Sequence, residues 1–206
     1  NYFHNLTKNV FDRDVNYEMK QFDKRMLSGL EFQTRYDQGN FFADLGIVYN
    51  LKNKFCDKNS AVLDRGIWDY VRNVKKPRAL PECVNGGNAE GYLKHTIAPK
   101  YSIKANLGIR ALDERLELGT RWLYHSQVKD SRAKSLRDAG FLGSTETNRW
   151  NPVLVVDAYA SYKVNENLQL ELVGTNITDR YYLDPLTRSS LPAPGRTIKL
   201  GFTARF

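Results

Sequence analysis

Apolar and polar residues alternate with a period of two along much of this chain, the signature of strands with one dry face and one wet face. The pattern is clearest at the end. In Arg196–Phe206, Ile198, Leu200, Phe202, Ala204 and Phe206 share one face, while Lys199, Gly201, Thr203 and Arg205 share the other. Leu168–Leu172 alternates three leucines with Gln169 and Glu171. In Leu154–Tyr162, Leu154, Val156, Ala158, Ala160 and Tyr162 oppose Asp157, Tyr159 and Ser161. Leu116–His125 sets Leu116, Leu118, Trp122 and Tyr124 against Glu117, Gly119, Arg121 and His125. Tyr101–Ala111, Phe41–Leu51 and Gly29–Asp37 follow the same rule. These seven segments run to roughly ten residues each, the length that crosses a bilayer at a tilt. Ahead of them, residues 1–14 read as the end of an upward strand that turns into a long downward strand from about Asn16.

Alternation alone also fits a soluble sandwich. The connections discriminate. Asp37–Asn40, Leu112–Arg115 and Val164–Asn167 are tight turns, whereas 52–98, 127–151 and 177–195 are long polar excursions. Short turns on one side and long loops on the other are the rhythm of a transmembrane barrel. Long loops inside a compact soluble domain are uncommon.

Composition supports this reading. The mean hydropathy is −0.56, and no stretch of about 18 apolar residues could make a transmembrane helix. A barrel strand needs apolar residues on one face only, so low average hydropathy is expected of it. The 12 Tyr and 10 Phe suit pleated packing and interfacial girdles. A net charge of +8 is open to three readings: a soluble basic surface, a nucleic-acid site or a wet barrel interior. The basic residues are scattered and alternate with apolar ones, which favours the interior and predicts no nucleic-acid partner. Asn1-Tyr2-Phe3-His4 is neither a start nor a leader, so the chain is expected to be a portion of something longer. Cys56 and Cys83 both lie in one polar stretch. A disulfide in an oxidising compartment is expected, with two free thiols as the alternative.

Two motifs near the end carry a resemblance. Asn176-Ile177-Thr178-Asp179-Arg180-Tyr181-Tyr182 resembles the N-x-x-D-x-x-Y signature of TonB-dependent outer-membrane receptors. Pro194-Gly195-Arg196 before an alternating strand and a terminal Phe206 resembles that family's C-terminal signature, and Gly29-Leu30-Glu31 is typical of its downward strands. The run 179–186, DRYYLDPL, with 191–196, LPAPGR, is most similar to the heme and hemophore (HasR-like) branch. The resemblance is specific only over roughly the last thirty residues.

The resemblance implies an all-β fold. About seven or eight antiparallel strands would form the C-terminal part of a barrel of about 22 strands with long extracellular loops, and residues 1–206 would all belong to it. The plug and the first strands would lie outside the chain. Because open sheet edges are not tolerated in lipid, the edges here would pair with the missing part. The implied location is the outer membrane of a Gram-negative bacterium. The implied activity is TonB-dependent import of heme, delivered by a hemophore or hemoglobin, with a ferric-siderophore receptor as the alternative. Heme or ferric siderophore would be cargo. The TonB complex would act through the missing N-terminal part, and the barrel-assembly machinery would read Phe206. A passive porin or an outer-membrane enzyme barrel is the reading from another class; a porin would also end in Phe but lack both signatures.

Pro194 and Gly195 are expected to fix the turn into the last strand, Pro by its preset φ and Gly by tolerating positive φ. Among possible ligand contacts, His125 falls on the inner face near a long loop, and His95 precedes a strand. For each, the plain alternative is a hydrogen bond to a neighbouring side chain, and no heme ligand carries over from the resemblance. Tyr92 and Arg78, with Trp68, Tyr70, Lys75 and Lys76, mix aromatic and basic character in one loop. That suits a partner protein or a propionate-bearing ligand, or equally a loop facing lipopolysaccharide phosphates, as does the basic run 129–149. Calcium and zinc lack their ligand spacing. Ser126 beside His125 points to the opposite face, so no catalytic grouping forms and no enzyme is expected.

Overall fold

The computed structural model describes residues 1–13, 19–56, 67–69, 74–76, 83–85, 98–128, 151–184 and 192–205. The strands are β1 (Tyr2–Arg13), β2 (Met19–Asp37), β3 (Phe41–Cys56), β4 (Ile67–Asp69), β5 (Val74–Lys76), β6 (Cys83–Asn85), β7 (Tyr101–Ala111), β8 (Leu116–His125), β9 (Val153–Lys163), β10 (Leu168–Thr175) and β11 (Thr197–Ala204). The main sheet is a meander in the order β1-β2-β3-β7-β8-β9-β10-β11, every pair antiparallel. β6 adds to the far end of β3, and β4 pairs β5 in a small hairpin of its own.

The expected strands are all present, and several are longer than alternation alone indicated. β1 and β2 form the anticipated up-and-down pair. β3 reaches Cys56 rather than Leu51, and the excursion after it carries β4, β5 and β6. The reason is a bulge. Gly29 pairs Asn50 but Ser28 pairs Lys52, so Leu51 is an extra residue. Past it the outward face passes from odd to even positions, and the two-residue rhythm breaks although the strand continues.

Short turns close one end. Gly39, at φ 82, reverses the chain between β2 and β3, and its N–H donates to Asp37 Oδ1 at 2.9 Å. Leu112, Asp113 and Glu114 all take left-handed φ, 56, 55 and 63, a tight reversal that costs about 1–2 kcal/mol per residue. Asn165 Oδ1 accepts the Asn167 N–H at 2.9 Å in the third turn.

The apolar face is broadly exposed: Leu200 is 80%, Phe202 75% and Phe32 55% exposed. Such a surface is untenable in water and is what a lipid-facing sheet requires. Aromatic residues mark both margins of it. Tyr36 and Phe41 meet near the short turns, their rings 6.2 Å apart. Tyr101 and Tyr124 stack at 5.8 Å near the long loops, and Tyr49 pairs Tyr101. On the opposite face, glycines face rings across the ladder. Phe3 lies over Gly29, Phe42 over Gly108 and Tyr159 over Gly119, each at a directly paired position. A Cβ at any of the three would strike the ring, so glycine here makes room for a flat-lying aromatic.

Candidate functional site

Two groups of side chains lie on or beside the polar face, one at each end of the sheet. Near the short turns, Arg110 is the hub. It donates to Asp37 Oδ1 at 2.9 Å, to Asp37 Oδ2 at 3.3 Å, to Glu117 Oε2 at 3.2 Å and to the Gly39 carbonyl at 2.9 Å. Its guanidinium also lies over the Phe42 ring, 4.6 Å from the centroid. Tyr159 Oη donates to the other Glu117 oxygen at 2.8 Å. A separate group lies next to it, where Gln169 Nε2 donates to Ser161 Oγ at 2.9 Å and to Glu171 Oε1 at 3.0 Å. Beside it lies an open hollow of about 410 Å³, lined by Arg110, Glu117, Tyr159, Ser161, Gln169 and Glu171 among others. This is a wet, charged wall with cations and carboxylates interleaved.

At the long-loop end the N-x-x-D motif makes a clamp. Asn176 is 3% exposed and left-handed at φ 49, as is Asp179 at φ 51. Asn and Asp tolerate that region better than other side-chain-bearing residues do. The Asn176 N–H donates to Asp157 Oδ1 at 2.8 Å. Its Nδ2 donates to the carbonyls of Arg180 at 2.9 Å and Pro194 at 3.2 Å, and its Oδ1 accepts the Arg180 N–H at 2.9 Å. Asp179 Oδ1 accepts the Arg196 N–H at 2.9 Å. One amide and one carboxylate therefore tie the start of the connection between β10 and β11 to its end. Tyr182 completes the tie through its carbonyl, which accepts the Ala193 N–H at 2.9 Å. Burial, then the negative charges of Asp184 and Asp157, push the Tyr182 phenol above its ordinary pKa. Gly195 departs from the expected role: positive φ among the described glycines is confined to Gly39. Its smallness is what matters, because a Cβ there would lie 3.1 Å from Asp179 Oδ1.

His125 sits beside the clamp, 2% exposed. Its Nδ1 lies 2.8 Å from Ser102 Oγ, and its Nε2 has no partner among the described residues. Ser126 Oγ accepts the Tyr101 N–H at 3.1 Å, so the hydroxyl beside the imidazole is that of Ser102. The pair Cys56–Cys83 is a disulfide, at paired positions of β3 and β6. His95, Tyr92, Arg78 and Phe206 lie outside the described residues, as does the basic run 129–149; of Trp68, Lys75 and Lys76 only the backbone is described. No cluster of three or more His, Cys, Asp or Glu that could hold a metal occurs among the described residues. Sequence reasoning missed Asp157 and the Arg110 hub. Both are cross-strand partners, and only the register brings them into reach.

A meander with a polar inner face, aromatic margins on an apolar outer face and long loops at one end defines a segment of a transmembrane β-barrel. No protein-family model matches the chain. It is 39% identical over 212 residues to the hemophilin receptor of Acinetobacter baumannii, covering 100% of this chain and 20% of that protein. It is 26% identical over 173 residues to a probable TonB-dependent receptor of Haemophilus influenzae, covering 77% of this chain and 18% of that protein. The chain thus spans about a fifth of the length of these curated relatives. The FrpB iron transporter of Neisseria meningitidis superposes with a TM-score of 0.62 at 19% identity, over 100% of this chain and 28% of that one. The ferric enterobactin receptor of Pseudomonas aeruginosa gives 0.62 at 16% identity, with the same two coverages. These two likenesses establish the fold. The chain belongs to the TonB-dependent receptors of the Gram-negative outer membrane, and it supplies strands of their barrel.

Proposed function

We propose that this chain is the C-terminal barrel portion of a receptor that imports heme, handed over by a hemophore, with energy from the TonB complex. The observation that carries the proposal is the 39% identity to a hemophilin receptor along the whole chain. The runs 179–186 and 191–196, similar to the heme and hemophore branch, agree with it. The missing N-terminal part would hold the plug and the TonB contact, and the strand ending at Phe206 would be read by the barrel-assembly machinery. Heme is cargo here, and the receptor performs no chemistry on it.

In this reading each end of the sheet has a task. The disulfide-closed segment 57–82 and the connection after Asn176 belong to the receiving surface. Cross-linking reduces the chain entropy a loop loses when it closes on a ligand. The interleaved charges around Arg110 line the path along which the plug moves. The deciding experiment is binding of heme and a panel of ferric siderophores to the full-length receptor in detergent, followed by absorbance and fluorescence quenching. Tight heme binding with a ligated-iron Soret band is the expected result. Binding of a siderophore and not of heme would leave the receptor family standing and overturn the heme assignment.

A further inference from the structure

The outward face of β1–β3 changes character toward the long loops. Paired residues of an antiparallel ladder share a face. Tyr2 opposite Leu30 marks the outward face on β1 and β2, and Leu30 opposite Tyr49 carries it to β3. Further out on that face, His4 lies opposite Ser28, Leu6 opposite Met26, and Lys8 opposite Lys24. On β3, beyond the bulge, Lys52 lies opposite Ser28 and Lys54 opposite Met26. Lys8, Lys24, Lys52 and Lys54 therefore form one patch. Lys100 joins its margin, with Nζ 4.7 Å from the centre of the Tyr49 ring.

Among the described residues, no carboxylate stands on this face between His4 and Lys8, between Lys24 and Ser28, or between Lys52 and Cys56. None of the four lysines has an ion pair among the described residues. Asp23 and Arg25, the chain neighbours of Lys24, differ in this respect, since neither is without a partner. Like charges directly opposite destabilise a ladder, so Lys8 facing Lys24 is a cost unless an anion lies between them.

The position of the patch identifies the anion. Directly below it the same face holds Tyr2, Leu30, Tyr49 and Tyr101, which are 62%, 47%, 38% and 38% exposed. Apolar and aromatic side chains in that place mark the boundary between acyl chains and headgroups. At the cell surface, the lipid meeting that boundary is a glycolipid phosphorylated on its sugar headgroup. We propose that the lysine patch binds the headgroup phosphates of lipopolysaccharide, with the acyl chains lying along the apolar rows below. The patch extends about 13 Å along β2 from the level of Ser28 to Lys24, long enough to meet two phosphates on one disaccharide. The proposal rests on the long loops being at the cell surface, and does not depend on the identity of the cargo.

The test uses the full-length receptor, purified from outer membranes in mild detergent, with bound lipid A quantified by mass spectrometry. Neutralising four lysines as Lys8→Gln, Lys24→Gln, Lys52→Gln and Lys54→Gln together should lower retained lipid A at least tenfold, since each lysine near an anionic headgroup contributes about fivefold. Lys104→Gln and Lys199→Gln, on the inner face, should leave it unchanged. Lipid A stripped of its phosphates should fail to bind the native receptor, an arm that needs no variant and so survives any failure of the fourfold variant to assemble. Equal retention by the fourfold variant, or of dephosphorylated lipid A, overturns the proposal. Displacement by millimolar inorganic phosphate would reassign the patch to a free anion. Loss of heme or hemophore binding with lipid A unchanged would make it a protein-docking surface instead.

Discussion

The two ends of this sheet solve the problem of polar groups in different ways. At the long-loop end, Asn176 is almost fully shielded, and each of its polar atoms has a partner inside its own connection or on the adjoining strand. At the short-turn end, the Arg110 hub joins residues 73 and 7 positions apart, and its side chains stay 21–34% exposed. A buried amide whose partners are backbone groups has no substitute, because removing it leaves those groups dry and unpaired. A half-wet ion pair has water as a standby. The outer end is therefore set by hydrogen-bond geometry, and the inner end by charge distribution.

The sharpest way to break that contrast is Asn176→Ala. It strands the Arg180 N–H and the carbonyls of Arg180 and Pro194, and it places alanine at left-handed φ. Together these should cost about 3–5 kcal/mol. The measurement is the amount of heat-modifiable, surface-exposed receptor, which should fall severalfold. Asn176→Asp keeps the backbone preference and the acceptor but loses both donated bonds, so it should fall between alanine and native. Full recovery with Asp would mean that φ and the accepted Arg180 N–H suffice and that the two donated bonds are incidental.

Next in size is the disulfide. Closing the span from Cys56 to Cys83, a separation of 27 residues, restricts the unfolded chain by about 3–4 kcal/mol on the loop-entropy account. Cys56→Ser should leave barrel assembly intact, because β3 remains in the main sheet through β2 and β7. It should raise proteolysis between 57 and 82 and weaken ligand capture. A cleavage rate equal to that of the native receptor would remove the disulfide from the receiving surface. Deleting 57–82 outright should reduce uptake and leave surface level unchanged.

Smaller still is Gly119→Ala. The new Cβ would meet the Tyr159 ring, which must swing off the strand and release Glu117. Overpacking of this kind costs about 1–3 kcal/mol, read as a lower melting temperature in detergent. Adding Tyr159→Ser to Gly119→Ala should recover much of the loss if the ring is the obstacle. No recovery would place the clash in the backbone.

How much of this was legible in the sequence follows from which interactions are local. Alternation located the faces of β7 to β11 because each keeps strict parity from end to end. It lost β3 at Leu51, where one extra residue reverses the parity, and it understated β2, whose outer half presents Ser28 and Lys24 where lipid-facing apolar residues were sought. The clamp was visible as Asn176 and Asp179 because both partners of a short motif are written side by side. Its third member, Asp157, was not, since nothing in the stretch around it announces a neighbour 19 residues away. The Arg110 hub was hidden for the same reason. Asp37 and Glu117 are ordinary inner-face carboxylates until the register sets them against one guanidinium.

The smallest expected effect tests the other half of the contrast. Arg110→Ala removes four hydrogen bonds and the contact over Phe42, a longer inventory than Asn176 loses. If bond count governed, it would be the more damaging change. Exposure argues the reverse: Asp37 and Glu117 remain hydrated when the guanidinium goes, and the Asp37 carboxylate keeps the Gly39 N–H. Surface level and melting temperature of Arg110→Ala should therefore match the native receptor. Uptake is the sensitive readout, because the charge leaves a wall along which the plug is proposed to slide. A receptor that assembles normally and binds ligand normally but imports slowly would assign Arg110 to transport. Loss of assembly on the scale of Asn176→Ala would show that the inner end, too, is held by geometry, and the distinction between the two ends would collapse.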